Sequence, residues 1–334
     1  MASARVLIRD PRAVLAWSVA RSAALLAVPI LVTWLVLDPA RALKFLWYIA
    51  IPILPATFFI STKLWRGICP LATLNEFGNR LGTPRTLAPR TGLWLSVAGL
   101  LLFHLLVPGR RFVFNQNGPA LAVVIIAVGA LAVILGSRFS VRSGFCNSLC
   151  PVLPVELLYG QAPLVRLDRA RCTSCTVCTP RGCLDLAEAK ALPQMLGGAR
   201  RTAGWLATPY GAFFAGLPGF IVGYNRLTDG PLGTVLNVYG TTLGFSVASY
   251  LAIGLVVVGL GLKSEPALAL VGGLAGAVYY WYSGPAIATQ LGGSPWVGVA
   301  IRGMGIGLVG WWLARTLRRN PAGPQSSGLS AGFR

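Results

Sequence analysis

The chain of 334 residues is 55% hydrophobic and only 11% charged, with a mean hydropathy of +0.67. A soluble domain carries about 25% charged residues, so the composition excludes an ordinary soluble protein and indicates an integral membrane protein. The net charge of +20 could suggest nucleic acid, but the basic residues are sorted by loop rather than gathered in a stripe, which is topology signalling.

In chain order, eight spans of about twenty residues are predicted, at approximately 13–37, 43–62, 92–108, 119–136, 203–225, 243–262, 266–288 and 292–315. The apolar run from Ala13 lacks a small-residue cleavage site and is long enough to span, so it reads as a span and not a cleavable signal. The expected organisation is a first set of transmembrane helices over 1–136, a basic cytoplasmic loop over 137–202, a second set over 203–316, and a disordered Gly/Ser/Pro-rich tail over 317–334.

The loop charges orient this arrangement. With the N-terminus inside, 22 Lys and Arg residues fall on inner segments, against five on outer ones: Arg41, Lys44, Arg110, Arg111 and Arg226. The positive-inside rule then places both termini and every cysteine-bearing loop on the cytoplasmic side. Trp34, Trp47, Tyr48 and the Tyr279-Tyr280-Trp281-Tyr282 run lie at predicted outer ends, where amphipathic rings favour the interface.

Two inner turns resemble each other. Leu64-Trp-Arg-Gly-Ile-Cys69-Pro70 follows the second span, and Phe145-Cys146-Asn-Ser-Leu-Cys150-Pro151 follows the fourth. Aligned on Cys-Pro, Trp65 stands where the second copy has Cys146. Glu76-Phe-Gly78 loosely echoes Glu156 and Tyr159-Gly160. The unit is a two-span hairpin ending in a Cys-Pro turn, a parallel repeat of a kind common in membrane proteins.

The 137–202 loop holds the densest chemistry: Cys172-Thr-Ser-Cys175-Thr-Val-Cys178-Thr-Pro-Arg-Gly-Cys183. Cysteines at C-x2-C-x2-C spacing with a fourth close behind are the run that wraps a [4Fe-4S] cubane. Cys172, Cys175, Cys178 and Cys183 are the simplest ligand set. The rival draws its fourth ligand from a remote Cys-Pro cysteine, Cys150 or Cys69. A four-thiolate zinc site is the other reading, although zinc sites usually separate two C-x2-C pairs by a dozen residues or more. Cys69, Cys146 and Cys150 form a candidate second redox or metal site, either an incomplete cluster with three thiolates or a thiol pair, Cys146/Cys150, with a vestigial Cys69. Cysteine that merely packs is the plainer alternative. Arg166, Arg169, Arg171 and Arg181 flank the run and would raise the potential of an anionic cluster.

FCNSLCPVLPVELLYGQ followed by RCTSCTVCTPRGC resembles the NosR/NapH-type membrane ferredoxins, or polyferredoxins, over roughly residues 43–185. That family pairs Cys-x3-Cys-Pro motifs at the cytoplasmic ends of transmembrane helices with ferredoxin-type [4Fe-4S] sites. The resemblance implies electron transfer between the quinone pool or a cytoplasmic donor and a partner redox protein, in a bacterial or archaeal cytoplasmic membrane. This chain departs from the pattern at Trp65, in having one cysteine run, and in having Leu184 rather than proline after Cys183. The expected fold is thus an all-α polytopic membrane protein with a small ferredoxin-like iron–sulfur loop.

Three ionisable residues fall inside predicted spans: Arg21, His104 and Arg302. Arg21 is read as snorkelling inward and His104 as lying near an outer interface. Arg302, mid-span, is the candidate intramembrane contact for a quinone, lipid or partner. A single histidine rules out bis-histidine haem within one chain. Two further functions suit the sequence: an assembly factor that hands on metal or reducing equivalents to a respiratory enzyme, and a transporter with a structural or sensing cluster.

Overall fold

The computed structural model describes residues 4–8, 11–140, 142–169, 196 and 203–318. Cys172, Cys175, Cys178 and Cys183, with the flanking Arg171 and Arg181 and the tail from residue 319, lie outside the described residues.

Among the described residues, six helical segments are long and apolar enough to cross a bilayer: Val14–Leu37, Pro39–Ile60, Pro89–Phe114, Gly118–Arg138, Leu232–Gly259 and Pro295–Arg318. The chain is an α-helical polytopic membrane protein. The first span is α1 (Pro11–Leu37). The second is α2 (Pro39–Phe45), a π turn (Leu46–Ala50) and α3 (Ile51–Ile60). Two shorter helices follow, α4 (Thr62–Ile68) and α5 (Pro70–Leu81). The third span is α6 (Pro89–Gly109) with a π turn (Arg110–Phe114), and the fourth is α7 (Gly118–Arg138). A third π turn (Phe145–Leu149) leads into α8 (Leu153–Tyr159).

The second half comprises α9 (Pro209–Asn225), α10 (Val235–Gly259), α11 (Ser264–Gln290) and α12 (Pro295–Arg318). The expected spans at 203–225 and 266–288 fall on α9 and α11. At 17 residues, α9 is shorter than the roughly 20 that cross a bilayer, because residues 203–207 form a separate 3-10 turn. The 27-residue α11 is long enough, but its glycines and the Tyr279–Tyr282 aromatics dilute its apolar content.

Local chemistry sets these boundaries. Proline opens α5, α6 and α9, where its missing N–H costs no hydrogen bond. The Asn117 side chain accepts from the Ala120 amide at 2.9 Å and the Thr208 hydroxyl from the Gly211 amide at 3.0 Å, capping α7 and α9. The π turn at 46–50 is followed by Pro52 in the first turn of α3, and that at 110–114 is preceded by Pro108 near the end of α6.

The helices divide by what they touch. α9 and α11 are interior: Phe213, Phe214, Leu217, Phe220, Leu268 and Ala275 are buried in one core with Phe58, Phe59, Trp205 and Trp312. Phe59 stacks on Tyr159 at 4.5 Å and meets Trp312 edge-on at 5.0 Å. By contrast, α1 and α10 present Leu15, Leu26, Ile30, Leu236 and Leu255 outward, an apolar surface suited to lipid.

One short sheet joins distant parts of the chain. β1 (Ala4–Ile8) pairs in parallel with β2 (Val165–Arg169), Ala4 opposite Val165 and Ile8 opposite Arg169. This ties the N-terminal segment to the residues that lead into the cysteine run, so both belong to the same face of the bundle. Val165-Arg-Leu-Asp-Arg169 alternates in polarity as a strand should, but five residues are too few to stand out in a sequence.

Candidate functional site

The two Cys-Pro turns share one backbone design. Cys69 ends α4 with φ −56° and ψ 123°, and Pro70 opens α5. Cys150 ends the 145–149 π turn with φ −58° and ψ 120°, and Pro151 leads towards α8. In each case the proline forces its predecessor out of the helical region. The approach differs by one residue: the Cys69 amide bonds to the Trp65 carbonyl at 2.8 Å, the Cys150 amide to the Phe145 carbonyl at 2.9 Å. The wider turn stands where the second copy carries Cys146. Gly99 of α6 makes room for it, since a Cβ there would lie 2.8 Å from the Leu149 carbonyl oxygen and 2.9 Å from that of Ser148.

The three cysteines come together. The thiols of Cys69 and Cys150 are both within electrostatic reach of Cys146, and Cys69 also acts on Cys150. Each cysteine retains some exposed surface, yet burial of the sulfur dominates its chemistry. Burial pushes the thiols of Cys69 and Cys146 up, and that of Cys150 up to about 12. At neutral pH they are neutral thiols, and a metal would have to displace their protons to bind. Among the described residues, no group of three or more His, Cys, Asp or Glu side chains is arranged to hold a metal ion.

A crossed ionic network holds the turns. Arg66, three residues before Cys69, donates from Nε to Glu156, six residues after Cys150. Arg142, eight residues before Cys150, donates to Glu76, seven residues after Cys69, with Nε 2.9 Å from Oε1. Each half thus contributes a guanidinium to the other half's carboxylate. Arg66 also donates to Asn147 Oδ1 at 3.0 Å, and Arg142 to the Arg66 carbonyl at 3.2 Å. Arg21 of α1 completes the set, donating to Glu76 and, at 2.8 Å, to Thr73 Oγ1. Burial opposes ionisation of Glu76, but Arg142 and Arg21 outweigh it and hold the carboxyl below its ordinary range.

The sequence reading singled out Arg21 but missed its partner, and it did not single out Arg66, Arg142, Glu76 or Glu156 as site residues. The available signal was the scarcity of acids. With nine Asp and Glu in the chain, one carboxylate downstream of each Cys-Pro turn marks a demand for a countercharge.

The other two intramembrane candidates sit apart. His104 Nδ1 lies 2.8 Å from the Leu100 carbonyl, and its ring meets Phe213 and Phe220 edge-on at 5.8 and 5.3 Å. Arg302 donates from Nε to the Trp281 carbonyl at 3.0 Å, with its guanidinium 4.1 Å from that indole ring. Arg302 is therefore occupied by its own helical hairpin, α11 with α12.

No protein-family model, curated protein or solved structure matches the chain.

Proposed function

We propose that this protein is a membrane-bound iron–sulfur electron carrier of the NosR/NapH type. The observation that carries the reading is the Cys172-x2-Cys175-x2-Cys178-x4-Cys183 run, set in a basic segment directly after a Cys-Pro turn of a helical membrane bundle. One [4Fe-4S] cluster is held by the run on the cytoplasmic side. Cys69, Cys146 and Cys150 form the next station, with the crossed arginine–glutamate pairs fixing their turns. The electrons pass between a cytoplasmic or quinone-pool donor and a partner redox protein.

Ligand substitution tests this reading. Cys183→Ser abolishes the reduced-state EPR signal of the anaerobically purified protein, whereas Cys150→Ser leaves it intact. The reverse outcome transfers the fourth ligand to the Cys-Pro turn. Replacing Cys69, Cys146 and Cys150 together by Ser preserves the cluster signal but blocks electron flow through the membrane domain. Normal turnover in that variant would remove the second station.

A further inference from the structure

Four arginines stand without a carboxylate at the end of the bundle where α5 and α7 finish and α6 begins. Arg80 lies in the last turn of α5, Arg90 in the first turn of α6, and Arg138 is the last residue of α7. Arg85 is on the link from α5 to α6. Its amide donates to the Arg138 carbonyl at 2.9 Å, and its carbonyl accepts from the Ser140 amide at 2.8 Å, which ties the link to the end of α7. All four arginines are exposed.

One face of α5 is locked against α7. Asn75 Nδ2 donates to the Ala132 carbonyl at 3.0 Å, and Asn79 Nδ2 to those of Gly136 at 2.7 Å and Phe139 at 3.2 Å. A Cβ on Gly78 would run into the Val133 carbonyl, and one on Gly82 into that of Ser137. Phe77, Arg80 and Leu81, at i, i+3 and i+4, share another face. Phe77 and Leu81 are more than half exposed, as are Leu93 and Trp94 in the first turns of α6. Open apolar side chains thus border the arginines, where the spans Pro89–Phe114 and Gly118–Arg138 begin and end.

The charge is uncompensated. Among the described residues, none of the four guanidiniums makes an ion pair or a hydrogen bond. No Asp or Glu occurs between Glu76 and Glu156 in the sequence, and those two carboxylates are taken by Arg21, Arg142 and Arg66. Arg90 adds a positive charge at the start of α6, where the helix macrodipole itself favours an anion. Exposed surplus positive charge at the ends of two spans matches anionic lipid headgroups, and planar guanidinium groups match the oxygens of phosphate. An acidic protein would satisfy the charges as well. The position at headgroup depth, with open apolar side chains alongside, favours lipid.

We infer that this end of α5, α6 and α7 is a docking surface for anionic lipid headgroups. Arg80, Arg85, Arg90 and Arg138 contact the headgroup phosphates, and Phe77, Leu81, Leu93 and Trp94 meet the acyl chains. The surface is independent of the cysteine chemistry and needs no cluster to be present.

The test uses the full chain, delipidated in a neutral detergent, with its melting temperature followed during titration. The probes are phosphatidylglycerol, phosphatidylcholine as a lipid without net charge, inorganic phosphate and polyglutamate. Saturable stabilisation by phosphatidylglycerol is expected, because a ligand that binds the folded state raises the melting temperature, and added salt should weaken it. Arg80→Gln, Arg85→Gln, Arg90→Gln and Arg138→Gln each weaken the apparent affinity about fivefold, and the fourfold variant loses saturation. The inference is overturned if phosphatidylglycerol gives no saturable shift, if phosphatidylcholine matches it, or if the fourfold variant binds it as tightly as the unaltered chain. Saturation by inorganic phosphate or polyglutamate but not by phosphatidylglycerol also overturns it, and assigns the surface to a free anion or to an acidic protein. Should the fourfold variant fail to fold, the four single variants decide the matter.

Discussion

The two faces of the bundle both gather arginines, and they manage the charge in opposite ways. On the cysteine-bearing face, Arg21, Arg66 and Arg142 are matched to the carboxylates of Glu76 and Glu156. On the other face, Arg110 rests on Trp47 and Tyr224 and has only an amide oxygen for a partner. Carboxylates fix a guanidinium in place and offset its charge, so the first arrangement makes a rigid setting for the thiols in which three guanidiniums share two carboxylates. Aromatic rings hold the guanidinium and leave its charge available. The first arrangement suits a scaffold for the thiols.

Breaking the crossed pairs gives the largest effect. Arg66 and Glu156 are both well buried, with side chains 11% and 7% exposed. Removing one member of such a buried pair costs about 3–5 kcal/mol. Arg66→Ala and Glu156→Gln should each lower the stability of the detergent-solubilised chain by that order in chemical unfolding. The double variant should cost less than the sum of the two. Strict additivity would mean that the two side chains do not act as a pair.

Acid gives a graded version of the same break. Although burial opposes it, Arg142 and Arg21 hold the Glu76 carboxyl below its ordinary range. The unfolded chain therefore takes up this proton at higher pH than the folded one. The stabilisation from Glu76 is complete above the ordinary carboxyl value of about 4.3 and is lost as the pH falls through the lower folded-state value. Glu76→Gln should flatten that part of the stability profile while leaving the neutral-to-alkaline part unchanged in shape. An unaltered acid limb would show that Glu76 is not linked to folding.

The smallest effect is expected at Arg302, which is held against Trp281 by a hydrogen bond to its carbonyl and a contact with its ring. Arg302→Gln removes a guanidinium–indole contact worth about 0.5–1 kcal/mol at an exposed position, and it should leave electron transfer intact. A loss of turnover in that variant would restore Arg302 as a contact for quinone, lipid or partner.

Much of the helical layout was legible because membrane burial writes itself into long stretches of sequence. The span expected at 119–136 is α7 (Gly118–Arg138), and the one at 13–37 lies within α1 (Pro11–Leu37). Other features were not legible, for physical reasons. Arg21 reads as a snorkelling side chain because its partner Glu76 is 55 residues away, and a pairing between helices leaves no periodic trace. The π turns at 46–50 and 110–114 are changes of backbone hydrogen bonding that hydropathy does not register. The kinship of the two Cys-Pro turns was visible in Cys69-Pro70 and Cys150-Pro151. What the sequence hid was the one-residue widening before Cys150 and the exchange of arginines and glutamates between the copies. The cluster at the other end of the bundle was half visible: Arg110 and Arg111 stood out as cations, but only folding brings Tyr224 and Trp47 to them.

The most direct test of the account is the metal content of the full chain, purified anaerobically from cells supplied with both iron and zinc. A cluster held by Cys172, Cys175, Cys178 and Cys183 gives about four iron and four acid-labile sulfide per chain, with a paramagnetic signal on one-electron reduction. Stoichiometric zinc without iron or sulfide would contradict it, and would turn the cysteine run into a structural metal site on a membrane protein that carries no electrons.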